Sequence, residues 1–361
     1  MGFRLIKISL VKTVIALILV AMIGYFVIVQ ADTASMAVKS SLVNCLTVII
    51  PSIFAFMTLS TFLVESGLYK IISIPFYPIA RYVLRIDSKL FSIFLISLIG
   101  GYPVGAKLLT MLVENGEITS KQAEKMMCYC YGSGPSFIFG LVAMNVYSNV
   151  RVGVIILASS SLASFIVAYI AGLTQNIPQI KHEDLKLNIS SQALINSVNS
   201  TSQSLLSICS LIVLFSVFTA LLDSFSVIEM ISSFLTTAPE AIKTFFEVSN
   251  LSTFSGTINE IALICGLLSF GGLCVIMQIT SVVKGRFSLK WFTITRPFIA
   301  VLSGLICWLF SQGQDFTVTA STTRNPSIVV NSATPFTSVL LMIMSIMLLA
   351  ICSSKRNRAQ K

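Results

Sequence analysis

Eight long apolar segments, separated by polar loops, constrain the fold of this chain more than any other feature. They lie at about residues 13–29, 42–64, 90–113, 151–173, 204–222, 258–283, 291–312 and 335–352. Each is long enough to cross a hydrocarbon core about 30 Å thick as an α-helix. A chain that is 55% hydrophobic and 11% charged has more apolar sequence than a soluble core needs. The sequence therefore predicts an all-α polytopic membrane protein with about eight transmembrane helices.

A further apolar segment, Gly132–Ser148, is too short to cross by itself. Its helical part begins at Pro135 and has 14 residues, about 21 Å at 1.5 Å per residue. If the segment enters the membrane and returns, Lys and Arg divide 17 to 6 between the two sides, with Lys107 inside the bilayer. If it crosses, they divide 10 to 13. Because basic residues concentrate on the cytoplasmic side, we predict a re-entrant helix here.

A re-entrant helix would turn the two halves of the chain upside down relative to each other. The spans 42–64 and 90–113 then form one hairpin, and 204–222 and 258–283 form another of opposite sense. Two inverted-topology hairpin repeats with broken helices are typical of membrane transporters. The same charge distribution predicts a multi-pass protein of the cell membrane with both termini cytoplasmic.

The spans and loops predict five successive regions. These are an N-terminal transmembrane helix with an external linker (1–40), a first repeat with the re-entrant segment (41–173), a cytoplasmic linker (174–203), a second, inverted repeat (204–312), and an external loop, last transmembrane helix and basic cytoplasmic tail (313–361). The first apolar run is longer than most signal-peptide cores, so we expect a retained helix. Cleavage near Ala31 is the alternative.

Two Gly-Gly pairs fall in the middle of spans that we expect to correspond. One span contains Gly100-Gly101-Tyr102-Pro103-Val104-Gly105, and the other contains Gly271-Gly272. Glycine and proline inside a helix cost about 1 and 3 kcal/mol relative to alanine. We interpret both positions as broken helices whose free backbone groups bind a polar solute near the membrane midplane. The alternatives are close helix packing through small residues, or a simple proline kink.

Three polar side chains near these breaks are further candidates for a binding site. Lys107 is the basic residue placed deepest in a predicted span, and we expect it either to bind an anionic or carbonyl-bearing solute or to snorkel to the outer surface. Ser133 and Ser136 open the predicted re-entrant helix, whose free amides suit polar or anionic groups. A purely structural hairpin is the alternative for these two serines.

Two helix starts have the sequence of a capping box. These are Thr119 with Gln122, and Thr257 with Glu260. Glu260 precedes an apolar run, so we expect it to cap that helix rather than to pair with Lys107.

The chain lacks the residue groupings of common catalytic sites. It has eight cysteines and one histidine, with no Ser-His-Asp set, no phosphate-binding loop and no paired carboxylates in the predicted spans. Cys128 and Cys130 form the one close cysteine pair, and without a nearby histidine they make a poor zinc site. The basic residues flank apolar spans, as topology signals do. We therefore expect no enzyme activity, cofactor, bound metal or nucleic-acid partner.

At these motifs the chain resembles a known family. The strings GGYPVGAKLL, GSGPSFIFG, SLLSICSLIVLFSVFTALL and LLSFGGLCVIMQI, in that order, resemble the YlbJ family of sporulation integral membrane proteins of spore-forming Firmicutes. The similarity runs from about Ser40 to Phe310. It implies a nucleoside-recognition, or Gate, domain, which that family shares with concentrative nucleoside transporters and ferrous-iron transporters. Residues 41–173 and 204–312 would then be two Gate-like repeats.

The leading functional hypothesis is a transporter-like sporulation protein that binds or passes a small polar solute, nucleosides included, between the inverted repeats. The residues expected to line the site are Ser97, Gly100, Gly101, Tyr102, Pro103, Gly105, Lys107, Ser133, Ser136, Gly271, Gly272 and Gln278. The expected partners are the lipid bilayer and the solute, with a second copy of the chain or sporulation membrane proteins as further candidates. The alternative hypothesis is a non-transporting scaffold of the forespore envelope that binds partner proteins.

Overall fold

The structure, a computed structural model, describes residues 24–173 and 187–312 together with positions 13, 17 and 21. Within these residues every regular element is helical. We number the longer helices α1 (Ala31–Glu65), α2 (Ser88–Gly100), α3 (Tyr102–Glu114), α4 (Ser120–Met127), α5 (Pro135–Met144), α6 (Val150–Leu173), α7 (Ser191–Ser224), α8 (Val227–Leu235), α9 (Pro239–Phe246), α10 (Ile261–Phe270), α11 (Gly272–Val283) and α12 (Lys290–Ser311).

Five of the eight predicted spans are confirmed as helices long and apolar enough to cross a membrane. They are Ala31–Glu65, Val150–Leu173, Ser191–Ser224, Ile258–Val283, which includes α10 and α11, and Lys290–Ser311. The chain is therefore a multi-pass membrane protein by the length and composition of its helices. The predicted span 335–352 and the region 313–361 lie outside the described residues, as do most of 1–23 and the segment 174–186.

The predicted crossing at 90–113 is wrong, because the chain reverses direction at Gly101. Gly101 has a φ of +87°, and α2 and α3 on either side have 13 residues each, about 20 Å. A Cβ atom built on Gly105 would lie 2.9 Å from the Cβ of Ser97. In a continuous helix these residues would be about 12 Å apart. The two helices are therefore antiparallel, and they form a hairpin with its tip at Gly101.

Both ends of the Gly101 hairpin lie at one end of the molecule. Near the start of α2, the Phe91 ring packs on Phe76, with 5.4 Å between centroids. Just after α3, Glu117 pairs with Lys70 at 2.6 Å. Lys70 and Phe76 belong to the short connection that follows α1. The hairpin therefore enters and leaves the helix bundle on the side where α1 ends.

Contacts between loops define the two ends of the helix bundle. The backbone amide of Asn188 donates to Ser66, Arg286 pairs with Glu114, and the Ser120 hydroxyl donates to the Arg286 carbonyl. We call this end A. At the opposite end, end B, the Tyr147 hydroxyl donates to the Thr257 carbonyl and Lys243 pairs with Asp223.

The prediction of a re-entrant helix at 132–148 is also wrong. Ser120 lies at end A, next to Arg286, whereas Tyr147 lies at end B, next to Thr257. These two partners flank the helix Ile258–Val283, so residues 120–147 run the full length of that helix. The crossing consists of α4, an unwound segment at 128–134, and α5. Gly134, which precedes Pro135, lies in the interior against the tip of the Gly101 hairpin.

A second reversal approaches the interior from end B. Lys243 of helix α9 pairs with Asp223 at end B, and the last residues of α9 lie against Gly272. A Cβ atom on Gly272 would lie 3.0 Å from the Thr244 carbonyl oxygen. The chain then returns to end B, where Gly256 lies against the Val146 carbonyl. The segment 239–257 therefore folds back into the bundle.

Both predicted capping boxes are confirmed, and one predicted linker is shorter than expected. Thr119 with Gln122, and Thr257 with Glu260, make reciprocal side-chain and backbone hydrogen bonds. Helix α7 begins at Ser191, inside the polar region 174–203, because the Ser190 side chain accepts from the amide of Ala193 and caps it. Serine hydroxyls in this polar part of α7 donate to carbonyls of their own helix, so their hydrogen-bonding groups are satisfied locally.

The close approach at Gly105 gives a test of the hairpin. A Cβ at this position would overlap the carbonyl oxygen of Cys130 in the unwound segment. We expect Gly105→Ala to lower the free energy of unfolding by about 1–3 kcal/mol, because the hairpin must move away from that backbone. The measurement is the thermal unfolding midpoint of the purified protein in detergent.

Gly140→Ala is the matched control for this substitution. Gly140 lies in helix α5, and no atom of the described residues lies within 4 Å of the added Cβ. This variant should be unchanged, or more stable by up to about 1 kcal/mol because alanine favours the helix. Equal stability of the two variants would contradict the described packing of the Gly101 hairpin.

Candidate functional site

The tip of the Gly101 hairpin meets the unwound segment 128–134 through bare backbone. A Cβ on Gly134 would lie 3.0 Å from the amide nitrogen of Gly101 and 3.1 Å from the Ile99 carbonyl oxygen. No side chain fits between these two backbone segments. Because the helices on both sides end here, the terminal turns of several helices lie together in the interior of the molecule. This contact forms the first part of the candidate site.

Two tyrosines connect this contact to the interruption between α10 and α11. Gly271 has a φ of +85° and separates the two helices. The Tyr102 hydroxyl donates to the Leu268 carbonyl at 2.8 Å, and the Tyr131 hydroxyl donates to the Phe270 carbonyl at 2.9 Å. Their ring centroids are 5.1 Å apart. The tyrosines thus satisfy the carbonyls that the interruption leaves free, as an apolar environment requires.

The second reversal contributes a buried carboxylate that sequence reasoning missed. Glu247 follows α9 directly and is 2% exposed. It accepts hydrogen bonds from the backbone amide and the hydroxyl of Ser249. The signal available in the sequence was the position of Glu247 directly after the apolar pair Phe245-Phe246.

A buried arginine, Arg296, is the second residue that sequence reasoning missed. It lies in α12 and is 1% exposed. Its guanidinium donates to the carbonyl of Cys128, and its central carbon lies 4.3 Å from the ring centroid of Tyr131 and 4.8 Å from that of Phe292. None of the ion pairs in the described part of the chain includes it. A helix-end carbonyl and two aromatic faces stabilise this charge, while Nε and Nη1 of Arg296 are buried without a hydrogen-bond partner among the described residues.

The structure brings most of the predicted site residues to this crossing, but not all of them. Nine predicted residues lie in the Gly101 hairpin, in the unwound segment or at the α10–α11 interruption. They are Ser97, Gly100, Gly101, Tyr102, Pro103, Gly105, Ser133, Gly271 and Gly272. Ser136 is exposed on α5. Gln278 is buried on α11 and donates to the sulfur of Cys274. Their roles in binding stay predictions.

Lys107 lies away from the crossing, in a polar cavity towards end A. The cavity has a volume of about 300 Å³ and lies between helices α3, α7 and α11. The Nζ atom of Lys107 donates to the Ser204 hydroxyl at 3.0 Å. Lys107 is 4% exposed, so its side chain does not snorkel out to a surface, which was the alternative interpretation.

The two Gly-Gly pairs are not equivalent in the structure. Gly101 is the tip of a reversal, whereas Gly271 interrupts a helix that continues beyond it. The element of the first half that resembles the Gly271 interruption is the unwound segment 128–134, between α4 and α5. In the residues that the structure describes, no three His, Cys, Asp or Glu side chains are grouped so that they could hold a metal ion.

The environment of Arg296 predicts that lysine cannot replace it. Lysine keeps the charge but lacks the plane that stacks on Tyr131 and Phe292. We expect Arg296→Lys to lower the free energy of unfolding by roughly 1.5–3 kcal/mol, through the weakened charged hydrogen bond to Cys128. Thermal unfolding in detergent measures this loss.

Arg286→Lys serves as the control for the same chemical change. Arg286 is exposed and pairs with Glu114 at 2.8 Å. An exposed ion pair contributes at most about 1 kcal/mol, so this variant should be nearly unchanged. If Arg296→Lys were equally harmless, the guanidinium would not hold the unwound segment.

Comparison with known proteins finds one curated relative. The sporulation integral membrane protein YlbJ of Bacillus subtilis (strain 168) is 26% identical over 212 residues, which are 52% of this chain and 51% of that protein. The match therefore spans about half the length of each. No protein-family model and no solved structure matches the chain. The comparison confirms the resemblance to the YlbJ family that the motifs indicate: the chain is a homologue of a sporulation integral membrane protein.

Proposed function

We propose that this chain is a transporter-like membrane protein of sporulation that binds or passes a small polar solute between two inverted halves. The observation that carries the proposal is the meeting of two reversals, which approach from opposite ends, with two interrupted crossings. In this arrangement, the ends of several helices converge in the interior. Transporters use such interrupted helices to bind solutes near the membrane midplane.

The order and sense of the elements support two inverted halves. The first half has a long helix α1, the Gly101 hairpin, the interrupted crossing α4–α5 and the long helix α6. The second has α7, the reversal after α9, the interrupted crossing α10–α11 and α12. Helix α1 runs towards end A, whereas α7 starts there, since Asn188 lies next to Ser66. An axis in the membrane plane would relate the two halves.

The basic residues support an orientation with end A in the cytoplasm. Nine Lys and Arg residues lie at end A in the described part of the chain, and three lie towards end B. Those at end A are Lys70, Arg81, Arg85, Lys89, Lys121, Lys125, Lys284, Arg286 and Lys290, and the others are Lys39, Arg151 and Lys243. The positive-inside bias favours end A as the cytoplasmic side. Cytoplasmic termini remain part of the proposal.

The proposal predicts solute-dependent uptake or binding by the purified protein in liposomes. A panel of nucleosides and other small polar metabolites is suitable, because the Gate-domain resemblance implies nucleoside-like ligands. We expect Gly101→Ala to abolish the signal, since alanine at a φ of +87° distorts the hairpin tip against Gly134. The measurement is uptake of labelled solute, with helix content checked by circular dichroism.

Gly116→Ala is the matched control for the backbone strain. Gly116 has a φ of +71°, but in the described part of the chain no atom lies within 4 Å of an added Cβ. This variant should keep the signal. Absence of any solute-dependent signal from the wild-type protein, together with a stable crosslinked membrane partner and normal sporulation of the Gly101→Ala strain, would favour the scaffold hypothesis.

A further inference from the structure

The polar cavity at end A contains two lysines from elements that belong to different halves of the chain. Lys107 lies on α3 of the Gly101 hairpin, and Lys284 directly follows α11. The rest of the lining includes Glu114, Ser200, Ser204, Ser207 and Ser281. A volume of about 300 Å³ is at the lower end of the range for small-molecule sites. The cavity is therefore large enough for a small metabolite.

Lys107 is buried without a carboxylate partner among the described residues. Its Nζ atom donates to the Ser204 hydroxyl, which itself donates to the Ser200 carbonyl. Lys107 is in none of the ion pairs found among the described residues, and Glu65, which acts on it electrostatically, forms no ion pair with it. A lysine ammonium has three donors. A buried charge with a single neutral partner is costly unless an anion completes its environment.

The remaining charges of the lining leave the cavity positive. Glu114 is the acid in the lining, and its carboxylate is already paired with Arg286 at 2.8 Å. Lys284, an exposed residue of the lining, adds a second positive charge that acts electrostatically on Lys107. The hydroxyls of Ser207 on α7 and Ser281 on α11, which are 3.1 Å apart, supply neutral hydrogen-bonding groups. The lining thus suits a negatively charged ligand with several oxygen atoms.

We propose that this cavity binds a small oxyanion, a carboxylate or a phosphate ester, between Lys107 and Lys284. The proposal rests on the proposed function and deepens it, because it names the charge class of the solute. An anion held by both lysines would also join the Gly101 hairpin to α11, and so connect the two halves. The same oxyanion chemistry is found in dissolved metabolites and in anionic lipid headgroups, which both reach end A.

The test measures binding of charged and neutral probes to the full-length protein in detergent. The probes are inorganic phosphate, uridine monophosphate and, as the neutral match, uridine. We expect uridine monophosphate to bind at least about tenfold more tightly than uridine, because charged hydrogen bonds are the stronger ones. Lys107→Met should weaken the binding of the anion by about tenfold or more, and added salt should weaken it further.

Two further variants keep the result interpretable. Lys290→Met removes one exposed positive charge from end A without touching the cavity, so anion affinity should not change. Lys284→Ala removes the second ammonium group and should weaken anion binding without altering helix content. If Lys107→Met failed to fold, Lys284→Ala would still carry the test. Loss of affinity in Lys290→Met equal to that in Lys284→Ala would overturn the site.

The outcomes separate this inference from the proposed function and distinguish the two sources of the anion. Tight binding of uridine that is unaffected by Lys107→Met would overturn the anion site but leave the proposed function standing. Binding of no probe would overturn the anion site, while the uptake panel decides the proposed function separately. If phosphatidylglycerol, but not phosphatidylcholine, competes with uridine monophosphate and co-purifies in a Lys107-dependent way, the oxyanion site stands and a lipid headgroup is its ligand.

Discussion

Backbone groups freed inside an apolar bundle must find partners, and the arrangement at Gly101 follows from this requirement. The hairpin tip and the unwound segment 128–134 each interrupt regular helical hydrogen bonding. They can lie against each other because Gly101 and Gly134 have no side chains to separate them. The rest of the interior is then built from groups that reach the interruptions from neighbouring helices.

The side chains around this contact each satisfy a particular backbone group. Tyr102 and Tyr131 donate to carbonyls at the end of α10, and Arg296 donates to the carbonyl of Cys128. The helix breaks are therefore supported by polar side chains that are themselves buried in aromatic surroundings. Such an interior keeps polar groups in the membrane core without exposing them to lipid. It is also an arrangement that can hold a polar solute.

The sequence predicted the helical class, five spans, both capping boxes and the helix interruptions at Gly101 and Gly271. The sequence pattern placed the re-entrant element at 132–148 instead of at the Gly101 hairpin, for two physical reasons. The segment 88–114 has enough apolar residues for one crossing, and length alone does not distinguish a crossing from a hairpin of two short helices. The charge count did not distinguish them either. In the predicted topology a crossing is followed by a re-entrant helix, and in the structure a hairpin is followed by a crossing. Both topologies give every later span the same orientation. Only Lys121 and Lys125 change sides.

Burial of single charged residues was harder to predict than the spans. Arg296 stands near the start of an apolar span and so looked like a flanking topology signal, but it points into the interior. Glu247 lies in a segment with other acids that suit an outer loop, and the fold-back after α9 buries it. In both cases the position depends on long-range contacts that no local pattern contains.

The most direct test of the account is the sidedness of the chain before and after the Gly101 hairpin. Single cysteines at the exposed positions Tyr82, Asn115 and Ser148, in a chain without its eight native cysteines, can be labelled with a membrane-impermeant maleimide in oriented vesicles. The account predicts that positions 82 and 115 react from one side and position 148 from the other. Reaction of positions 115 and 148 from the same side, opposite to position 82, would contradict it.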